Sequence, residues 1–589
     1  MDVRRSMIIT AKDKINIDED FKVEAGPGAG KTEFLVNHIK NIIDNSDRLS
    51  NSRKIACITY TNIAVETILK RVGKNASNMI EVTTIHSFLY KNVVKPYCSF
   101  IPEEYELCAK KVKGHDDLYI STKYIREWFE DGDFSGLKHP NSKNQVLGFP
   151  ALTQALQSWL LSMKCTFNNE VPTFECENTK AVGYDKDNKP VRLNKKNLEV
   201  LSSKIIDLKR IYWRKGKLDH NDVLYFSYVL IDQYPFILEI LRAKFPYMFI
   251  DEYQDTNPIQ SYILDQIRKK ETVVGVIGDK AQSIYGFQGA NPKLFESFNS
   301  GDSCHYTINN NHRCSNKIIK LLNDIREDII QESTVEKNYD EVVIYVGDRI
   351  KAYKKACEEC QGGTVTSLSR DNITSNAMKK EIDNYNLNKK LLDQFNTDDS
   401  NDKRRDYILS FISAIELAQN GNIKESIKKI EWIFRNENDS KKVALFSLTK
   451  ILAFYDQYCD KSLMDFYNSI SNTLEPSLPK VTRGAPKIFY ESVSYNEIAI
   501  CINITEDSSN HVTIHKAKGA EFDAVFIVDS KYLKKFLLEP DLNSNEEHRV
   551  FYVALSRARN RLFLQLDELK QSEEMAIKHR YPYLIFDRV

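Results

Sequence analysis

Two short stretches carry residue types that could do chemistry. The first is Val23-Glu-Ala-Gly-Pro-Gly-Ala-Gly-Lys31-Thr32. Set against the phosphate-loop pattern G-x-x-x-x-G-K-[ST], Ala25 replaces the first glycine, while Gly26, Gly28, Gly30, Lys31 and Thr32 stand. Such a loop lets backbone N–H groups converge on phosphate oxygens at a helix N-terminus. Lys31 would neutralise the β- and γ-phosphates of a nucleoside triphosphate, and Thr32 would hold Mg²⁺. The second stretch is Tyr247-Met-Phe-Ile-Asp251-Glu252-Tyr-Gln-Asp255. Asp251 would complete the Mg²⁺ shell, and Glu252 would orient and deprotonate the attacking water. A glycine turn beside an ordinary lysine and a solvated acidic turn are the plainer readings. Neither explains the apolar residues ahead of each motif or the pairing. Together the motifs describe a Mg²⁺-dependent NTPase and leave open what its energy drives.

These side chains must be positioned by strands and helices. Phe21 and Val23 predict a short strand before the glycine loop. Leu35, Ile39, Ile42 and Ile43 predict one apolar helix stripe after it. The run ending at Ile250 predicts a strand beside the phosphate loop, with the acids at its carboxyl end. Two tracts, about 91–215 and 377–497, hold apolar residues at helical spacing, as at Ile408, Ile412 and Ile415, and read as mainly helical insertions. The polar stretch 385–406 reads as a flexible segment or helix-joining loop.

The chain has 589 residues, enough for several domains. Lys plus Arg is 83 and Asp plus Glu is 82, a net charge of +1, which excludes a polycation or an acidic tail protein but not a locally basic channel. No run of about 18 uncharged apolar residues predicts a membrane span. The eleven scattered cysteines fit a reduced, cytoplasmic protein rather than a disulfide framework. Cys357 and Cys360 have metal-ligand spacing, but no second pair follows, and they read as two thiols on one helical face.

Further motifs follow in a fixed order. They are Thr59-Tyr60-Thr-Asn62, Thr84-Ile-His86-Ser-Phe, Leu218-Asp219-His-Asn-Asp222 and Gly278-Asp-Lys-Ala-Gln282-Ser-Ile-Tyr285-Gly-Phe287-Gln288-Gly-Ala. Asn311-His312-Arg313-Cys-Ser, Thr513-Ile-His515-Lys-Ala-Lys-Gly-Ala-Glu521 and Glu546-Glu-His-Arg549-Val-Phe-Tyr-Val-Ala-Leu-Ser-Arg557-Ala complete the set. With the phosphate loop and the acidic pair, this series resembles superfamily 1 helicases of the UvrD/Rep/PcrA type. The compact chain also looks like the phage-defence members of that superfamily, such as the helicase subunit of Gabija-type systems. The resemblance implies an α/β fold with two RecA-like parallel-sheet cores, each carrying a mainly helical insertion. The first core would span 1–90 and 216–302, with its insertion at 91–215. The second would span 303–376 and 498–589, with its insertion at 377–497.

The same resemblance distributes roles. ATP and Mg²⁺ would be the cofactors. Arg313 and Arg557, both in the second half of the scaffold, would stabilise charge on the departing γ-phosphate across domains. Gln282 would sense that phosphate, and Asn311 and Glu521 would lie on the nucleotide side, Glu521 toward the ribose. Tyr60, Tyr285 and Phe287 would stack on unpaired bases, the last two sharing one face of an extended segment. Thr59, Asn62, His86, Thr513 and His515 would hold phosphates or sugars. Taken singly, the aromatics read as core packing and His86 as a structural histidine.

The implied activity is ATP-driven movement along single-stranded or partly duplex DNA, 3′ to 5′, with unwinding, in phage defence or DNA repair. The chain ends at Val589, so any nuclease would be a partner protein. A DNA- or nucleotide-sensing regulatory NTPase subunit without processive unwinding is the alternative, and a plain phosphate-loop kinase or transporter ATPase is a second. Three departures stand out. No glutamine precedes Gln145, where the family reads adenine upstream of the loop. His312 replaces a stacking tyrosine, and Gln288 replaces an arginine on the DNA side. The first two bear on base selectivity and the third on coupling.

Overall fold

Continuous buried apolar runs build two parallel sheets, as expected where helices cover both faces of a sheet. In chain order the first strands are β1 (Met7–Ile8), β2 (Phe21–Ala25), β3 (Ile55–Thr59) and β4 (Ile80–Thr84). Helix α1 (Lys31–Asn45) follows β2, α2 (Asn62–Val72) follows β3, and α3 (Ile85–Leu89) follows β4. The computed structural model describes residues 6–589 apart from residues 61, 74–77, 135–136, 138–149, 169–170, 185–189, 299–303, 335–341, 383–386, 389, 400, 436, 474–477, 503–508 and 529–530.

The first insertion is not purely helical. It carries two antiparallel hairpins, β5 (Met163–Asn168) with β6 (Val171–Cys176) and β7 (Val182–Tyr184) with β8 (Pro190–Arg192). The signal is a period of two: Met163 and Cys165 on one strand and Phe174 on its partner are buried. Helix α4 (Ile205–Trp213) then leads to α5 (His220–Gln233). Asp219 caps α5 in a capping box with Asp222, and Lys209 from α4 pairs with both carboxylates, at 2.9 Å from Asp222. The Leu218–Asp222 motif is thus a buried clasp between two helices.

Strands β9 (Tyr247–Ile250), β10 (Val273–Gly278) and β11 (His305–Ile308) complete the first sheet, in the order β1-β11-β2-β10-β9-β3-β4, parallel throughout. Two expectations change. Strand β10 lies between β2 and β9, so the acidic strand is not the phosphate loop's direct neighbour. The sheet also runs past residue 302, because β11 pairs with β2. A short parallel pair, β12 (Asn310–Asn311) with β13 (Glu332–Ser333), follows.

The second sheet contains β14 (Val343–Val346), β15 (Val365–Ser369), β16 (His511–Thr513), β17 (Phe522–Ile527), β18 (Ala558–Leu566) and β19 (Ile585–Arg588), in the order β16-β15-β17-β18-β14-β19. Helix α6 (Arg349–Glu359) carries Cys357, and Cys360 is its C-cap residue. Within the stretch 385–406, read as flexible or helix-joining, α7 (Leu391–Asp398) forms, and α8 (Asp402–Gln419) starts there and runs on into the tract expected to be helical. Buried Leu391, Phe395, Ile408, Phe411, Ile412 and Ile415 supply the packing that overrides the polar composition. Helix α9 (Glu546–Leu555) precedes β18.

The chain divides into two compact units. One holds Met1–Cys314, Asn323–Glu336 and Leu542–Tyr552, the other Ser315–Leu322, Lys337–Asp541 and Val553–Val589. Among the described residues no single helix is long and apolar enough to cross a membrane.

Candidate nucleotide site and nucleic-acid face

The carboxyl ends of parallel strands are where open α/β sheets bind ligands. In the first unit the loops after β2, β9, β10, β3 and β4 carry, in that order, the glycine loop, Asp251 and Glu252, Gln282, Tyr60, and His86.

After β2 the chain turns through Gly28 at φ +70° and Gly30 at φ +87°, left-handed conformations that strain any residue with a side chain. Gly30 is the N-cap of α1, so Lys31 and Thr32 open the helix. The Lys31 Nζ is buried, donates to no hydrogen-bond partner among the described residues, and lies 3.3 Å from Glu252 Oε1. A buried ammonium with three donors and one ionic neighbour is set up for a further anion. This orphaned amine, the glycine cradle and the hard oxygen donors Thr32 and Asp251 fit a Mg²⁺-bound triphosphate.

The acidic pair is held from three sides. Asp251 N–H donates to Ile58 O at 2.9 Å, fixing the end of β9 against β3. Asp251 Oδ1 accepts from Glu252 N–H at 3.0 Å. Glu252 sits at φ +57° and ψ +40°. Strain of this kind costs on the order of 1–3 kcal/mol and gathers at functional sites. Gln254 Nε2 donates to the second Glu252 oxygen, while its Oε1 accepts from Asp279 N–H at 2.9 Å. A Cβ at Gly278 would fall 2.5 Å from that Gln254 oxygen, so only glycine admits the link. Gln282 Nε2 donates to Asp279 Oδ2 at 2.6 Å, and buried Arg326 pairs with Asp279 at 2.9 Å.

A second layer closes over the glycine loop. A Cβ at Gly28 would meet Asn311 Oδ1 at 2.7 Å and Arg313 Cβ at 2.8 Å, and one at Gly26 would meet Gln331 Nε2 at 2.6 Å. Asn311 Nδ2 and Gln331 Nε2 both donate to Pro27 O, at 3.1 and 2.8 Å, and His312 N–H donates to Gly28 O at 3.0 Å. Asn311 Oδ1 in turn accepts from the N–H groups of Arg313 and Cys314. Strands β11 and β12 bring this segment onto the loop. Arg313 falls in the same compact unit as Lys31. Gln331 and Arg326 carried no signal in the sequence. Gln254 lay inside the acidic motif, two residues past Glu252, and was readable there.

The expected DNA side is mixed. Thr59, the last residue of β3, is buried. Tyr60 is half-buried with its hydroxyl donating to Thr256 Oγ1 at 2.8 Å or Gln260 Oε1 at 3.1 Å, so the ring is anchored by its polar end. Asn62 is the first residue of α2. His86 stacks on His220 at 4.9 Å, and burial pushes its imidazole down to about 3, keeping it neutral. Phe287 is 53% exposed, with the Tyr285 ring 5.9 Å away. Phe287 lies on a 3₁₀ turn, Gly286–Gln288, with Tyr285 as its N-cap, rather than on an extended segment, yet their rings remain adjacent. Glu546 Oε1 accepts from Gly286 N–H at 2.9 Å and Arg549 Nε donates to Ser283 O at 2.7 Å, fixing the aromatic turn from α9.

In the second unit, Thr513 closes β16 and is buried, with His515 two residues on. Glu521 and Arg557 lie at the opposite, amino end of the parallel strands, just before β17 and β18, where Phe522 N–H donates to Arg557 O at 3.0 Å. Glu521 pairs with Arg559 at 3.1 Å. The buried Arg557 guanidinium donates to Val553 O, Ala520 O and Ser556 Oγ. The residues of this unit assigned to DNA and to nucleotide therefore sit at opposite strand ends of one sheet.

Residues 11–301 match the UvrD/REP helicase N-terminal domain, and residues 304–568 match the UvrD-like helicase C-terminal domain. The chain belongs to the UvrD-type superfamily 1 helicases. It is 24% identical to the Gabija protein GajB of Bacillus cereus (strain HuB5-5), over 95% of both chains. It is 23% identical to the ATP-dependent DNA helicase PcrA of Staphylococcus aureus (strain Mu50 / ATCC 700699), over 92% of this chain and 80% of PcrA. PcrA of Staphylococcus epidermidis is 22% identical over the same shares. An ATP-dependent, DNA-binding helicase family thus accounts for the strand-end arrangement of the motifs.

Proposed function

We propose that the chain hydrolyses ATP with Mg²⁺ to move 3′ to 5′ along single-stranded DNA and to separate duplex ahead of it. One observation carries this reading. The Lys31–Glu252 pair and the Tyr285–Phe287 turn hang from strands of one sheet, β2, β9 and β10, and are joined through Gln254, Asp279 and Gln282. In this reading Lys31 grips the terminal phosphates, and Thr32 and Asp251 hold the metal. Mg²⁺, when bound, neutralises charge on the β- and γ-phosphate oxygens. Glu252, steered by Gln254, takes a proton from the attacking water. Asn311 sets the backbone of Arg313 over the loop, and Arg313 offers positive charge to the phosphates. Arg557 and Glu521 keep the nucleotide roles their motifs imply. Gln282 lies three residues before Tyr285, so a change at the phosphate end reaches the aromatic turn along a short segment. Thr59, Asn62, His86, Thr513 and His515 would contact the strand.

Similarity to the Gabija protein GajB along almost the whole chain supports phage defence as the setting, with a nuclease as partner protein. Gln288, where the family motif has arginine, favours a second reading: a DNA-sensing NTPase that unwinds nothing. Strand displacement on 3′-tailed and 5′-tailed duplexes, run beside ATP hydrolysis, separates the two. Displacement of the 3′-tailed duplex alone is expected. Hydrolysis without displacement would replace the motor by the sensor.

A further inference from the structure

In the first insertion, the loop 109–119 and the turn 214–219 enclose a cavity of about 870 Å³, and none of the residues lining it belongs to the nucleotide site. Its walls are tied together by backbone. Cys108 N–H donates to Trp213 O at 3.0 Å and Asp116 N–H to Leu218 O at 3.1 Å. At Gly216, φ +69°, a Cβ would fall 2.5 Å from the Lys111 carbonyl carbon, so the two segments press together there. This is a built concavity rather than a gap between loops.

Its charges are unevenly satisfied. Asp219 and Asp222 are paired with buried Lys209, Lys215 is paired with Glu127 at 2.6 Å, and Asp117 faces His220 at 3.4 Å. Lys110, Lys111, Lys113 and Lys217 line the cavity with no ion pair among the described residues, against the carboxylates of Asp116 and Asp117. Clustered ammonium groups raise the local concentration of anions and release counter-ions when a phosphate binds. Tyr119, 67% exposed, adds an aromatic face at the rim. Next along the chain, His220 stacks on His86, one of the residues expected to touch a strand.

We propose that this cavity is a second anion site, distinct from the phosphate loop, which takes the phosphate groups of a nucleotide-built ligand with Tyr119 available to its base. The source is a nucleic-acid strand or a free nucleotide, and the two are separable. The full chain is titrated with a labelled oligothymidylate and, in the Lys31→Ala background, with a fluorescent ATP analogue. Each is repeated with Lys111→Gln/Lys113→Gln and Lys111→Glu/Lys113→Glu. For a strand, the charge-reversed pair should weaken binding at least about tenfold. The neutral pair should flatten the slope of log K against log salt by about 1.4, at roughly 0.7 per lost phosphate contact. For a free nucleotide, binding that persists without Lys31 should disappear in the lysine variants. Either result supports the site. Unchanged oligonucleotide affinity and salt slope, together with unchanged nucleotide binding, in variants that melt at the wild-type temperature would overturn it. The neutral pair carries the test should the reversed pair fail to fold. Binding is read directly, so a failure of hydrolysis would leave this result intact.

Discussion

Glu252 holds a left-handed backbone conformation, with one carboxylate oxygen toward Lys31 and the other toward Gln254. A side chain fixed from both ends in a strained position is placed for one proton transfer. Glu252→Gln should keep Mg·ATP bound while turnover falls by about 10²–10⁴, whereas Lys31→Ala should lose nucleotide affinity as well. Equilibrium nucleotide binding beside steady-state hydrolysis reads both, and loss of ATP binding in Glu252→Gln would make that residue structural. On the aromatic turn, Phe287 is the more exposed ring. Phe287→Ala should weaken single-stranded DNA by about 1–3 kcal/mol in a fluorescence titration, with basal hydrolysis retained. Base choice is a third residue-level matter. His312 lies beside Gly30, with its Nδ1 2.6 Å from Thr334 Oγ1, and no glutamine precedes the loop. GTP and dATP should therefore support appreciable turnover. An ATP preference of about 10⁴ or more over GTP would reveal a base reader elsewhere.

Elements explain what was and was not legible in the sequence. The glycine loop, the acidic strand and helix α1 were readable because each joins a local pattern to a chemical demand. Helix α8 was legible too, from Ile408, Ile412 and Ile415 at helical spacing, whereas α7 was not, since its buried Leu391 and Phe395 sit in a polar stretch and act only once the second insertion packs. The hairpins β5–β6 and β7–β8 were missed because the tract was read only for helical spacing. The extension of the first sheet past residue 302 was not legible, because strand pairing between β11 and β2 is a long-range fact that no motif encodes. The Leu218–Asp222 motif shows the reverse: a family signature that the structure explains as a clasp on Lys209.

Helix α1 also carries a testable cost. His38 is buried among Phe21, Phe34 and Phe249, with neither ring nitrogen hydrogen-bonded among the described residues, and burial pushes it down to about 4. In the unfolded chain it titrates near 6.5, so below that pH the unfolded state binds the extra proton and stability is lost as pH falls, levelling off near 4. By pH 5 the loss is about 2 kcal/mol. His86, pushed down to about 3, adds a loss of the same sign. His38→Phe should shrink the drop in melting temperature between pH 7 and pH 5. An unchanged drop would mean that His38 is protonated in the fold.

At the scale of the whole molecule, the first unit alone assembles Lys31, Glu252, Gln282, Asn311 and Arg313 around one loop, and hangs an aromatic turn from the same sheet. The second unit holds Thr513 and His515 at or just past the carboxyl end of an edge strand and Glu521 and Arg557 at the amino ends of two central strands. Such an arrangement has a purpose only if nucleotide chemistry and strand contact are linked. The most direct measurement is steady-state ATP hydrolysis by the full chain with and without single-stranded DNA, for the wild type and for Phe287→Ala. Strong stimulation of the wild type, with a higher DNA concentration needed to reach it in Phe287→Ala, is the predicted result. Hydrolysis indifferent to single-stranded DNA in a folded protein that binds the strand would contradict the account.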